Sequence, residues 1–152
     1  MEKILGIDYG KSKIGLALAD KQLKIAMPYK IIKNKGKKIV LQELKKICEQ
    51  ENVTQIVLGQ PSQLTDNPEE RVYRVNNQQI IMEIKKFFKE AKKFLKIPID
   101  FENERMTTKM AKTLLKGSKI KDDDSVAAMI ILQDYLEIQE LRTINVHLAN
   151  IS

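Results

Sequence analysis

The sequence predicts an α/β domain built on a mixed sheet, antiparallel at its start and parallel afterwards, and covered by helices. Three observations carry this. The chain opens with two short apolar runs joined by a tight turn, "ILGIDYGKSKIGLALAD" over residues 4–20, which reads as a β-hairpin. Helical and extended patterns then alternate, as parallel βαβ units require. No internal repeat, low-complexity segment or long linker interrupts the 152 residues, a length that suits one domain spanning 1–152.

In the first strand, alternation sends Leu5, Ile7 and Tyr9 to one side and Gly6, Asp8 and Gly10 to the other. After the turn "GKSK", the second strand repeats the scheme. Ile14, Leu16 and Leu18 form a bulky face, and Gly15, Ala17 and Ala19 a small one. "IAMPYKII" (25–32) is a third extended run, and its Pro28 disfavours a central, fully paired position. "GKKIVLQELKKICEQEN" (36–52) places Val40, Leu44, Ile47 and Cys48 at helical spacing. "TQIVLG" (54–59) is a near-continuous apolar strand, as expected where both faces are covered. "QPSQLTDNPEER" then reads as an exposed loop.

A long helix is expected over about 69–95. Its inner stripe is Val72, Ile80, Ile84, Phe87, Ala91 and Phe94, and its outer part carries Lys85, Lys86, Lys89, Lys92, Lys93 and Lys96. "IPIDFENE" (97–104) is a further strand, and "TTKMAKTLLKG" a short helix with a Thr cap and a C-terminal Gly. "DDDSVAAMIILQDYLEIQEL" is the last helix, acidic where helix dipoles favour acid. The tail "RTINVHLANIS" (residues 142–152) alternates weakly, which predicts an edge strand or a loose end.

Lys and Arg number 27 against 20 Asp and Glu, a net charge of +7, which fits a polyanionic partner such as nucleic acid or a membrane surface. No apolar run approaches the ~20 residues of a membrane helix, and the N-terminus enters a strand without a signal-peptide pattern. A cytoplasmic protein is the expectation. The single cysteine, Cys48, excludes an intrachain disulfide and sits among core positions. His147 lies in the tail with no neighbouring ligand cluster. Aromatics are only 5%, with no Trp, so a stacking platform for single strands has little support.

Asp8 is the anomaly of the first strand, because a carboxylate there needs something to compensate its charge. "GIDYGKS" is not a phosphate-binding P-loop. The spacing between its glycines is too short, and the next residues, "KIGLALAD", are β-like rather than helical. Gly-Ile-Asp-x-Gly also resembles the first phosphate hairpin of the actin, sugar-kinase and Hsp70 ATPases, but those hold ATP between two such domains and this chain has room for one. Two other segments end elements with carboxylates: Glu102 and Glu104 in "FENERMTT", and Asp122, Asp123 and Asp124 before the last helix. Each has a plain structural reading, as a hydrogen-bond acceptor, a surface ion pair with Arg105 or a helix cap. Together, in a basic domain, they fit hard-cation binding by Mg²⁺ or Mn²⁺ for phosphodiester cleavage. Asp124 shares a helical face with Ala127, Ala128 and Ile131, whose small residues would let the helix start approach the Gly6–Asp8–Gly10 face.

The blocks "ILGIDYGKSKIGLALAD", "IVLGQP", "ENERMTT" and "DDSVAAMIILQDYL", in this order from residue 4 to 136, resemble the YqgF-type pre-16S ribosomal RNA nucleases, also described as Holliday junction resolvase-like. The resemblance implies an RNase H-like fold, a five-stranded mixed sheet with helices on both faces. It implies an acidic metal site of Asp8, Glu104 and Asp124 that serves as the catalytic set. Two departures stand out. Asn103 occupies a position usually held by aspartate, and the loop after "GQP" lacks the usual glycine, with only Arg71 matching a recurrent basic position.

The function expected on these grounds is a hydrolase, a metal-dependent nuclease that processes the 16S ribosomal RNA precursor in ribosome biogenesis. Mg²⁺ or Mn²⁺ would be the cofactor and water the nucleophile. Lys11, Lys13, Arg71 and Arg105 are candidates for phosphate contact. Precursor rRNA and ribosomal particles are the expected partners, with the protein a monomer or homodimer. Two alternatives remain open. One is a DNA endonuclease acting on four-way junctions as a symmetric dimer. The other is a non-catalytic RNA- or ribosome-binding protein.

Overall fold

The computed structural model describes residues 1–60, 68–103 and 123–151, with side chains over 1–60, 78–102 and 125–151. Strands β1 (Lys3–Tyr9), β2 (Lys13–Asp20) and β3 (Ala26–Lys33) are followed by helix α1 (Lys37–Glu51), strand β4 (Val53–Gln60), helix α2 (Pro68–Leu95), strand β5 (Ile99–Asn103) and helix α3 (Asp123–Ile151). The five strands form one sheet in the order β3-β2-β1-β4-β5. β1 pairs antiparallel with β2, and β2 with β3, whereas β1–β4 and β4–β5 are parallel. The expected hairpin and mixed sheet are therefore both present. The short helix expected at "TTKMAKTLLKG" lies outside the described residues.

Strand alternation divides the core into two layers. Leu5, Ile7, Tyr9, Ile14, Leu16, Ile56 and Leu58 pack with α1 and α2 through Val40, Leu44, Ile47, Ile84 and Phe87. On the opposite face, Ile4, Ala17, Ala19, Ala26 and Val57 meet α3 through Ala128, Ile131, Leu132, Tyr135 and Leu136. β4 supplies both layers, which is why it reads as apolar throughout. Pro28 lies on β3, an edge strand, where the pairing slips from Leu16↔Lys30 to Ala17↔Pro28. A bulge at an edge is where a strand tolerates proline.

Three expectations are corrected. Phe94 is not part of the α2 core stripe; Leu95, four residues beyond Ala91, is buried instead. Phe94 lies on the flank under the Lys45 ammonium, 5.3 Å from its ring centroid. The strand expected from 97 begins at Ile99, after Pro98. The tail is not an edge strand, because α3 continues without a break to Ile151. Its apolar residues satisfy a helical spacing as well as a strand alternation, and the helix already formed before them extends at no nucleation cost. Cys48 is buried in the core, and burial pushes its thiol up to about 11, as an inert core cysteine should behave. No helix among the described residues is long and apolar enough to cross a membrane.

Candidate active site

Asp8 is partly buried near the C-terminal end of β1. Its pairing partners are Gly15 on β2 and Gly59 on β4, and Gly59 in turn pairs with Glu102 on β5. One row of the sheet thus reads Gly15, Asp8, Gly59, Glu102. Strands lie ~4.8 Å apart, so the Asp8 and Glu102 backbones are about 10 Å apart on the same face. Two flanking glycines leave the Asp8 carboxylate without crowding side chains on either neighbouring strand.

Helix α3 covers this face, and its close seat depends on small residues. A Cβ placed on Gly6 would lie 2.9 Å from the Leu132 Cβ and 3.1 Å from the Ala128 carbonyl oxygen. One placed on Gly59 would lie 2.5 Å from the Ile131 Cδ1. The Ile131 side chain therefore occupies the gap that Gly59 leaves between Asp8 and Glu102. Ala17 and Ala128 are fully buried at the same layer. Gly6, Ala17 and Ala19 of the expected small face thus form the docking bed of α3.

The hairpin turn after β1 stands at the same end of the sheet as Asp8, and both of its lysines, Lys11 and Lys13, are exposed. A Cβ on Gly10 would sit 2.5 Å from the Lys13 carbonyl oxygen, so the turn closes only around glycine. Asn34 fastens it. Its side-chain amide donates to the Gly10 carbonyl at 2.8 Å, and its backbone N–H donates to the Ser12 carbonyl at 2.9 Å. Sequence reasoning missed Asn34, which follows β3 in a lysine-rich stretch with no motif to mark it.

Of the other site candidates, Glu104 and Arg105 lie outside the described residues. Asp124 belongs to the first turn of α3 and Arg71 to α2, with their side chains outside the described set. Among the described residues no group of three His, Cys, Asp or Glu side chains comes together to hold a metal. Asp8 and Glu102 offer only hard oxygen donors, the type that suits Mg²⁺ or Mn²⁺. Among the described residues, the Ile131 side chain stands between these two carboxylates.

A family model described as RuvX, Holliday junction resolvase, matches residues 2–138. The chain belongs to the RuvX family. A relative from Rickettsia africae (strain ESF-5), provisionally named a pre-16S rRNA nuclease, is 39% identical over 140 residues, covering 88% of this chain and 85% of its own. One of the same name from Rickettsia akari (strain Hartford) is 37% identical with the same coverage. Among solved structures, Thermus thermophilus RuvC in complex with a Holliday junction substrate aligns with a TM-score of 0.53 at 14% identity. It covers 92% of this chain and 96% of that one. That likeness establishes the RNase H-like fold expected above.

In this RuvX-family chain a polar bridge holds α3 to the parallel half of the sheet. The Tyr135 hydroxyl donates to the Asp100 carboxylate at 2.5 Å and accepts from the Gln55 side-chain amide at 2.7 Å. Burial, then the Asp100 hydrogen bond and charge, push the Tyr135 phenol up to about 12. Gln133 ties the same helix to the other side of the sheet, accepting from the Ala26 N–H at 2.9 Å. These two residues fix the height and rotation of α3, and hence where its acidic first turn lies. Neither was singled out from sequence, because a polar residue on a mostly apolar helix has no period of its own.

Proposed function

We propose that this RuvX-family protein is a metal-dependent nuclease that hydrolyses phosphodiester bonds of the 16S ribosomal RNA precursor, with Asp8, Glu104 and Asp124 as the ligands of Mg²⁺ or Mn²⁺. The observation that carries the reading is the setting of Asp8. It is a carboxylate between two glycines on a sheet face over which α3 is seated at near-minimum distance. Helix spacing supports Asp124. The Ala128 carbonyl lies against Gly6, and four residues back along α3 is about 6 Å. Two residues forward from Gly6 to Asp8 is about 7 Å. The backbone at 124 and the Asp8 position therefore advance together toward the same end of the sheet. Glu104, outside the described residues, is taken from the resemblance of "ENERMTT" to the family's motif.

A divalent ion bound there would supply positive charge to stabilise the charge that develops on phosphate oxygens during in-line displacement by water. The protein's own tasks are separable from that. Asp8 is held by β1 and both its neighbours. Lys11 and Lys13, on a turn braced by Asn34, attract the phosphate backbone, together with Arg71 and Arg105. The +7 charge favours encounter with any nucleic acid. Ribosomal particles and a cytoplasmic location belong to the same reading.

A second substrate, the four-way DNA junction, is favoured by the family's description and by the likeness to the RuvC fold. The deciding experiment incubates purified protein with labelled precursor rRNA and with a DNA junction, each with Mg²⁺, Mn²⁺ or EDTA. The reading expects metal-dependent cleavage of the RNA. Junction cleavage with intact RNA would move the substrate to DNA, and cleavage of either that persists in EDTA would overturn the mechanism.

A further inference from the structure

The last three turns of α3 leave the domain. Every residue from Glu140 to Ile151 is exposed, in a helix whose earlier part is buried against the sheet. The family match ends at 138, so this segment lies beyond the residues that the family model matches. Its composition is poor for a solvated helix. Thr143, Ile144, Val146 and Ile151 are β-branched, and Asn145 and Asn150 prefer turns. Extension of a formed helix has no nucleation cost, but these residues propagate it poorly when nothing packs on them.

Leu141, Ile144, Leu148 and Ile151 are spaced by three, four and three residues, the a and d positions of two heptads. All four are between 49% and 70% exposed. So narrow a stripe is a seam for another helix rather than a face for a sheet. From Thr143 to Ile151 there is no Lys, Arg, Asp or Glu, in a chain that is 31% charged with a net +7. Two copies of such a protein repel over most of their surface, and this segment is where they can touch without bringing like charges together.

The root of the extension adds to the surface. The Lys24 ammonium lies 3.8 Å from a Glu140 carboxylate oxygen, and Leu23, Ile25 and Met27 beside it are exposed. This is the end of the sheet where Lys3 pairs with Asp20, opposite the end that carries Asp8. About 18 Å of helix is short for a standard interface, which takes about 800 Å² from each partner. An antiparallel pair would bring the far end of one helix to the root of the other, over Leu23 and Ile25, and enlarge the contact.

We propose that the α3 extension pairs antiparallel with the same segment of a second copy of this chain, giving a two-fold dimer whose Asp8 sites face away from the contact. Sedimentation equilibrium of the full chain, from micromolar to sub-millimolar concentration, tests it. The mass should rise from the 17.5 kDa of one chain toward twice that value. The Leu141→Glu/Leu148→Glu variant should stay at one chain, its dissociation constant raised by about a hundredfold or more. Its thermal melt, read at a concentration where both proteins are monomeric, should match the wild type, because both positions are exposed. A Leu141→Cys/Ile151→Cys variant should form a disulfide-linked dimer on oxidation, whereas Leu141→Cys alone should not; Cys48 is buried and does not compete. A wild-type chain that remains monomeric throughout would overturn the proposal. So would a double-Glu variant that dimerises as the wild type does, or self-linking of Leu141→Cys. None of these readouts depends on the substrate or on cleavage.

Discussion

Replacing Gly6 by alanine tests the seat of α3 with a single methyl group. The added Cβ would lie 2.9 Å from the Leu132 Cβ and 3.1 Å from the Ala128 carbonyl oxygen. Carbon atoms rest at roughly 3.5–4.0 Å, so the helix must rise by somewhat less than ~1 Å or tilt. Neither neighbour can swing aside, because one is a Cβ and the other is backbone. Overpacking of this kind costs about 1–3 kcal/mol, and at this chain length ~2 kcal/mol lowers Tm by roughly 4–8 °C. Activity should fall further than stability, since a ~1 Å misplacement of catalytic groups costs on the order of a hundredfold. Gly59→Ala is the internal comparison. Its nearest clash, at 2.5 Å, is with the Ile131 Cδ1, the end of a side chain, and Ile131→Ala in the same chain should relieve it. Circular-dichroism melts beside metal-dependent turnover of labelled precursor rRNA measure both effects. A Gly6→Ala protein with wild-type melting and turnover would refute the close seat of α3 and the placement of its first turn derived from it.

Three further outcomes are expected. Asp124→Asn should remove most cleavage, whereas Asp122→Asn should change it little and weaken the helix cap by at most about 1 kcal/mol; the reverse pattern in parallel turnover assays would mean that the helical phase is wrong. Tyr135→Phe deletes the bridge between Asp100 and Gln55 and should cost about 1 kcal/mol in urea unfolding at neutral pH. The Tyr135 phenol is raised in the folded state, so its contribution is complete below the ordinary tyrosine value near 10 and is lost as pH rises toward about 12. The variant's deficit should therefore shrink over that interval, and a deficit that stays constant would exclude the linkage. Asn34→Ala frees the turn that carries Lys11 and Lys13 and should weaken RNA binding severalfold in filter binding, with cleavage at saturating RNA nearly unchanged; unaltered affinity would remove these lysines from the interface.

The parts of this molecule that were legible in the sequence are those where side-chain period and size speak together. Gly6, Asp8, Gly15, Ala17 and Ala19 fell on one face by alternation alone, and that face is where α3 docks. Ala127 and Ala128 marked the contact side of the helix by spacing, and both are buried. Pro28 announced the edge. Longer-range features were not legible. Asn34 matters through a backbone carbonyl 24 residues away, and Tyr135 through Asp100 and Gln55 on two other elements; no local pattern encodes such partners. The tail misled because Ile144, Val146 and Leu148 alternate like a strand while Leu141, Ile144, Leu148 and Ile151 repeat like a helix. The preceding helix decides between them. Phe94 misled because at one edge of a stripe a helical period cannot tell a core residue from a flanking one. Within the site, the sheet register adds that Glu102 shares the row of Asp8 across Gly59.

The proposed function rests on Asp8 as a residue that would hold the metal on which RNA cleavage depends. The most direct measurement compares Asp8→Asn with the wild type for Mg²⁺-dependent cleavage of precursor rRNA, with RNA affinity and the thermal melt recorded on the same preparations. The amide keeps the shape of the side chain and removes its charge. Cleavage should disappear while RNA binding and melting remain close to wild type. An Asp8→Asn protein that cleaves at the wild-type rate would contradict the assignment at its root.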